Sequence, residues 1–257
     1  MKIKKLIFIA VILFSVLLLV GCKSGIEDKN VHTAEYADKG QNNAKLIDNG
    51  KASDENLIIE DAQYFPNANG FLARPKADGK YPGIVMVHEW WGLNDNIKDM
   101  AKQLASEGYV VLAVDLYNGK VTSDPAKARE LVTEVRKNPE PALENMKAAV
   151  EFLRKRSDVI PEQIASIGWC FGGGMSLQLA LTGTPLAATI IYYGTLETDK
   201  EKLSAIKHPV LGVFGSKDTS IPVASVIEFN ASLGKIGVPR DIYIYPNVGH
   251  AFANPSG

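Results

Sequence analysis

Between Leu57 and Tyr245 the chain alternates short apolar runs with longer segments of helical period, and few architectures accept that pattern. Ile84-Val85-Met86-Val87 has no polar residue on either face, as a strand covered on both sides requires. Tyr109–Val114 is another buried strand, and Ile164–Gly168, Ala188–Tyr192, Val210–Phe214 and Ile242–Tyr245 are expected as further strands. Leu57–Ile59 and Phe71–Ala73 read as an antiparallel opening. Amphipathic helices are expected over Asn94–Glu107, Pro125–Arg136, Pro141–Arg156 and Val223–Ile236, with another from about Gly173 to Leu181. Strand and helix in alternation predict an α/β fold, a mostly parallel central sheet with helices on both faces.

The sequence ahead of this domain reads as an address. Lys2, Lys4 and Lys5 precede an apolar run from Leu6 to Val20, interrupted by Ser15 and shorter than a membrane span of about 20 residues. The run ends in Leu19-Val20-Gly21-Cys22, which resembles the lipobox of bacterial lipoproteins. That resemblance implies cleavage before Cys22, lipidation of its sulfur and an extracytoplasmic, membrane-anchored protein. An uncleaved N-terminal helix anchor is the alternative. Residues 1–21 are then a signal peptide, 22–55 the lipidated cysteine and a polar tether in which His32 and Tyr36 are solvated, and 56–257 one folded domain. The composition, 46% hydrophobic with 28 basic against 29 acidic side chains, excludes a disordered chain and gives no basic footprint for nucleic acid. With Cys22 and Cys170 as the cysteines, a disulfide scaffold is excluded as well.

Gly168-Trp169-Cys170-Phe171-Gly172 places a cysteine between a buried strand and a helix, where a tight turn needs small flanking residues. It matches the nucleophile elbow of α/β-hydrolases with sulfur in place of the serine oxygen. A helix N-terminus there is expected to lower the thiol pKa. The alternative is a structural cysteine in a glycine-rich turn. Asp218 ends the Val210–Phe214 strand region and His250 follows the last strand 32 residues later, so nucleophile, acid and base occur in that fold's chain order. Each alone also reads as a turn or loop residue. His88 and His208 are expected in core or turn positions, no cluster has metal-ligand spacing, and Gly172-Gly173-Gly174 lacks a following Lys-Ser/Thr pair for phosphate. No cofactor is expected.

From about Tyr81 to Asn254 the chain resembles the dienelactone hydrolase (carboxymethylenebutenolidase-like) family. The resemblance rests on His88-Glu89-Trp90-Trp91-Gly92-Leu93-Asn94, Asp115-Leu116-Tyr117, Gly168–Gly173, Tyr192-Tyr193-Gly194, Gly215-Ser216-Lys217-Asp218 and Gly249-His250-Ala251-Phe252. It implies a small-molecule ester or lactone substrate attacked by Cys170, with His250 as base and Asp218 orienting the imidazole. The oxyanion would rest on the backbone N–H groups of Phe171 and Trp90. Glu89 would hold the resting cysteine in check; a loop carboxylate bonded to nearby backbone is its alternative.

Departures from the family pattern are informative. The family grips a substrate carboxylate with arginines and a serine. The corresponding positions here hold Ala251, Asn254 and Asn118-Gly119-Lys120, which leads us to expect a less acidic ester, lactone or thioester, with Lys120 as one point charge. Trp90, Trp91 and Trp169 read equally as pocket walls or core. Family members continue past the histidine into a further helix, so the sequence stops short at its C-terminus or the fold closes differently. The protein is expected to act as a monomer. A lipid-anchored binding protein without catalysis and a thiol-redox protein are the competing functions.

Overall fold

The computed structural model describes residues 31–32 and 54–254. The signal peptide, Cys22 and most of the expected tether lie outside these residues. Among the described residues nine strands form one sheet in the order β1-β9-β8-β7-β6-β4-β5-β3-β2. They are β1 (Val31–His32), β2 (Leu57–Phe65), β3 (Ala68–Pro75), β4 (Tyr81–Val87), β5 (Val110–Val114), β6 (Val159–Trp169), β7 (Ala188–Tyr192), β8 (Val210–Gly215) and β9 (Arg240–Tyr245). Only the β2–β3 and β3–β5 pairings are antiparallel, so the mixed edge follows the expected opening hairpin. Helices α1 (Asp95–Ser106), α2 (Pro125–Lys137), α3 (Glu140–Arg154), α4 (Phe171–Leu181), α5 (Lys200–Leu203) and α6 (Val223–Lys235) flank it.

Local chemistry sets the helix starts. The Asn94 side chain accepts from the Ile97 N–H at 3.2 Å and opens α1, while Asp124 accepts from Ala126 N–H at 2.9 Å ahead of Pro125 in α2. The unbroken apolar run in β4 is divided between two cores. Val85 and Val87 pack with Met146, Val150 and Leu153 of α3, whereas Ile84 and Met86 pack with Ile97, Ala101 and Ala105 of α1. Successive side chains point to opposite faces, so a strand with helices on both sides must be apolar at every position.

The chain leaves β4 through α1 to β5 on one side, then returns through α2 and α3 to β6 on the other side of β4. Ligand crevices in such sheets form where the strand order reverses, at the carboxyl ends. The pairing Val87↔Gly168 therefore puts the segments after β4 and β6 side by side.

Two local readings are corrected. His32 is not a solvated linker residue: Val31 and His32 pair in parallel with Ile242 and Tyr243 at the β9 edge. Its ring stacks on Tyr243 at 4.6 Å, and Nε2 meets the buried Asp241 carboxylate. An aromatic base beside a buried carboxylate recruits those two residues into the sheet, which composition alone does not reveal. The cysteine helix begins at Phe171 rather than at Gly173, so the turn leads into it without a spacer.

Candidate active site

Cys170 sits at φ 52°, ψ −116°, in the positive-φ half of conformational space that residues other than glycine rarely adopt. Its backbone is clamped there, the N–H donating to Tyr192 O at 3.0 Å and the carbonyl accepting from Gly174 N–H at 3.2 Å. Two positions away on either side, at Gly168 and Gly172, the turn tolerates nothing larger than glycine. A Cβ on Gly168 would lie 2.2 Å from Gly172 O, and one on Gly172 would lie 2.4 Å from both Val87 O and His88 O. These close approaches press the turn against the end of β4.

Asp218 and His250 come from the loops after β8 and β9. Those loops are joined by Ser216 N–H to Tyr245 O at 2.8 Å and Lys217 N–H to Val248 O at 2.9 Å. The His250 Nδ1–H donates to Asp218 Oδ2 at 2.7 Å, and Oδ1 accepts from the N–H groups of Ser220 at 2.8 Å and Ile221 at 3.0 Å. The carboxylate is fully buried and the imidazole part-exposed, which leaves Nε2 as the ring's acceptor. Tyr193, itself buried, packs edge-on to His250 with centroids 5.2 Å apart.

Glu89 is buried at the end of β4, where Asn254 Nδ2 donates to its carboxylate. Burial raises its pKa, and the Asn254 bond and the nearby His250 pull it back. His88 fixes this segment. Its Nε2 accepts from Leu116 N–H at 3.2 Å, so Nδ1 carries the proton and donates to the Glu89 carbonyl at 2.5 Å. Full burial lowers its pKa and keeps the ring neutral. His88 occupies the core position expected from the sequence, and there it is the strut beneath the Glu89–Trp90 backbone. Among the described residues no backbone carbonyl accepts from the N–H of Trp90 or Phe171. His208 is a core histidine bonded to Thr189, pushed down to about 4 by burial.

Glu89, Cys170, Phe171, Trp90 and His250 border one cavity of about 790 Å³, with Asp218 behind the imidazole. Trp90 and Trp91 line it, whereas Trp169 is core, stacked on Tyr192 at 5.5 Å. Among the described residues no hydrogen bond joins the Cys170 thiol to His250. The expectation of a low thiol pKa is overturned: burial pushes it up to about 11. The Phe171 N–H at the helix start and the Arg136 charge do lower it, but desolvation, Glu89 and Asp218 outweigh them. At rest the sulfur is a neutral thiol.

The cavity also holds groups that motif reading did not find. Lys120 borders a separate hollow, while Arg129 and Arg136 of α2 line the cavity itself. Their spacing of seven residues was legible, but which face of α2 meets the cavity was not. Tyr193 stands in a motif read from the sequence, but its packing on His250 and the Asn254–Glu89 bond were invisible without the folded chain.

The model of the dienelactone hydrolase family matches residues 68–257. The protein usf of Aquifex pyrophilus is 33% identical over 190 residues, covering 72% of this chain and 81% of the relative. A candidate carboxymethylenebutenolidase of Saccharolobus solfataricus is 31% identical over 221 residues, covering 73% and 84%. Among solved structures, a dienelactone hydrolase-like promiscuous phosphotriesterase from metagenomic libraries superposes with a TM-score of 0.71 at 25% identity, covering 77% of this chain and 85% of that one. A candidate dienelactone hydrolase of Klebsiella pneumoniae gives 0.65 at 27% identity, covering 76% and 88%. The chain belongs to the dienelactone hydrolase family of α/β-hydrolases and is a hydrolase of the ester and lactone class.

Proposed function

We propose that the protein hydrolyses carboxylic esters or lactones through a thioester on Cys170. The observation that carries this reading is the Asp218–His250 pair, at 2.7 Å, opening onto the cavity that holds a strained cysteine. The substrate carbonyl oxygen lies against the N–H groups of Phe171 and Trp90. The thiol proton passes to His250 Nε2 as sulfur bonds to the carbonyl carbon. The carbon–oxygen bond to the leaving group then breaks, and that oxygen takes the proton from His250. His250 next removes a proton from water, whose oxygen displaces the sulfur and releases the acid and the free thiol. Asp218 holds the tautomer and balances the imidazolium. Glu89 helps keep the resting sulfur protonated and yields when substrate arrives. The Asp218-oriented imidazole on the same cavity supplies a base for acyl transfer that a redox thiol does not need, and this favours hydrolysis over the redox alternative.

The deciding experiment is turnover of 4-nitrophenyl acetate with mass spectrometry of the trapped acyl group. The expected result is an acetyl adduct on Cys170 and loss of turnover in Cys170→Ala; turnover that survives in the variant would refute the nucleophile.

The same proposal includes lipidation at Cys22. Since β1 runs parallel to β9, Val31 stands at the strands' amino ends, opposite the cavity. Residues 23–30 reach at most about 30 Å when extended, so an anchored domain would be held close to the bilayer with its cavity facing away. Incorporation of radiolabelled palmitate into the full chain but not into Cys22→Ser tests this, and equal labelling of both would refute it.

A further inference from the structure

The six arginines of the sequence divide sharply by environment. Arg74 and Arg156 pair with Asp158, Arg154 with Glu151, and Arg240 donates to Asn230. Arg129 and Arg136 are the remaining two. Among the described residues neither guanidinium has an ion pair or hydrogen bond, and both line the cavity that holds Cys170.

Their placement follows from the helix. Seven residues on α2 span two turns, so both side chains project from one face, separated by about 10.5 Å along the axis. Ala128 and Val132 anchor the helix in the core beneath them. Arg136 lies near enough to Cys170 to lower its thiol pKa. Glu89 is the one acidic side chain on the cavity wall among the described residues, and it is engaged by Asn254. The cavity, at about 790 Å³, falls in the roughly 300–1,000 Å³ range that holds a drug-sized ligand, well beyond the needs of a small neutral lactone. Guanidinium groups offer paired donors matched to carboxylate and phosphate oxygens.

We propose that the α2 wall is an anion subsite, and that the cavity takes extended esters whose carboxylate lies several bonds from the scissile carbonyl, held by Arg129 and Arg136. This rests on the hydrolase reading above and replaces the expectation of a less acidic substrate, which came from other positions. The nucleophile works at the foot of the wall while the distal charge sets the substrate's direction along α2.

The test compares 4-nitrophenyl hydrogen adipate with its methyl-capped neutral counterpart, and 4-acetoxybenzoate with phenyl acetate. These pairs put the charge on the acyl side and on the leaving-group side respectively. Within each protein the readout is the ratio of kcat/KM for the charged ester over the neutral one, so any change in general catalytic power cancels. The wild-type ratio should be roughly tenfold or more for at least one pair, as expected for a charge-assisted bond, and should shrink in 0.5 M NaCl. Arg129→Gln and Arg136→Gln should each lower it, and the double variant should bring it near one. A wild-type ratio near one in both pairs, or one untouched by both substitutions, overturns the proposal. Should no ester turn over, the hydrolase reading fails while the subsite remains measurable. Adipate titrated against the fluorescence of Trp90 and Trp91 should then bind the wild type and bind the double variant more weakly; absent or equal binding overturns the subsite.

Discussion

Alkylation of Cys170 by iodoacetamide, followed by peptide mass spectrometry to separate it from Cys22, reads the thiolate directly. Only the ionised sulfur reacts, so the rate should climb tenfold per pH unit and level off only as the pH approaches about 11. At pH 8 a group with that pKa is ionised to about 0.1%, against about 24% for a cysteine at 8.5, a difference of roughly two hundredfold. Ionising the sulfur at pH 8 costs about 4 kcal/mol, at about 1.36 kcal/mol per pH unit, and substrate contacts must supply that. Burial is the largest cause of the shift and the Glu89 charge a smaller one, so Glu89→Gln should move the profile to lower pH and speed alkylation severalfold at pH 8 without normalising it. A wild-type rate already level below pH 7 would reveal a resting thiolate–imidazolium pair and refute the account of Cys170. A Glu89→Gln profile superimposed on the wild type would refute the part assigned to Glu89.

Asp218→Asn should leave thermal stability close to wild type while turnover of 4-nitrophenyl acetate falls by up to about 10⁴-fold, because an amide no longer selects the Nδ1–H tautomer of His250. Retained turnover would remove Asp218 from the mechanism. Gly172→Ala drives a Cβ to 2.4 Å from two backbone oxygens that cannot swing away, so thermal unfolding should show a loss of about 1–3 kcal/mol or more. An unchanged Tm would show that the turn is looser than described. His32→Ala strips a partner from the buried Asp241, which keeps Tyr243 OH at 3.2 Å, and should cost about 1–3 kcal/mol in denaturant unfolding. No change in midpoint would return residues 31–32 to the tether.

Element types were legible because burial on both faces forces continuous apolar runs such as Ile84–Val87, and because caps such as Asn94 and Asp124 announce helix starts. Boundaries were less so. Strand β6 extends back to Val159, well before the run at Ile164, because pairing with β4 at Tyr81 satisfies backbone groups whatever the local composition. The order Cys170, Asp218, His250 stood in the chain as separate letters between strands, and a parallel sheet makes such strand ends neighbours. Neither the strut made by His88 nor the His32–Asp241 contact could be read, since each depends on a partner 28 or 209 residues away.

By itself the sequence determined the parallel α/β architecture, the cysteine turn and the order of the groups around it, since these follow from local periodicity and from where glycine is obligatory. Only the tertiary structure decided the state of the sulfur and the charge of the cavity. Both are sums over groups distant in the chain: the desolvation of Cys170, the field of Glu89 and Asp218, and the two exposed arginines that α2 sets along the cavity border. Electrostatic energy depends on separation in space and on exclusion of water, and neither quantity exists until the chain has folded.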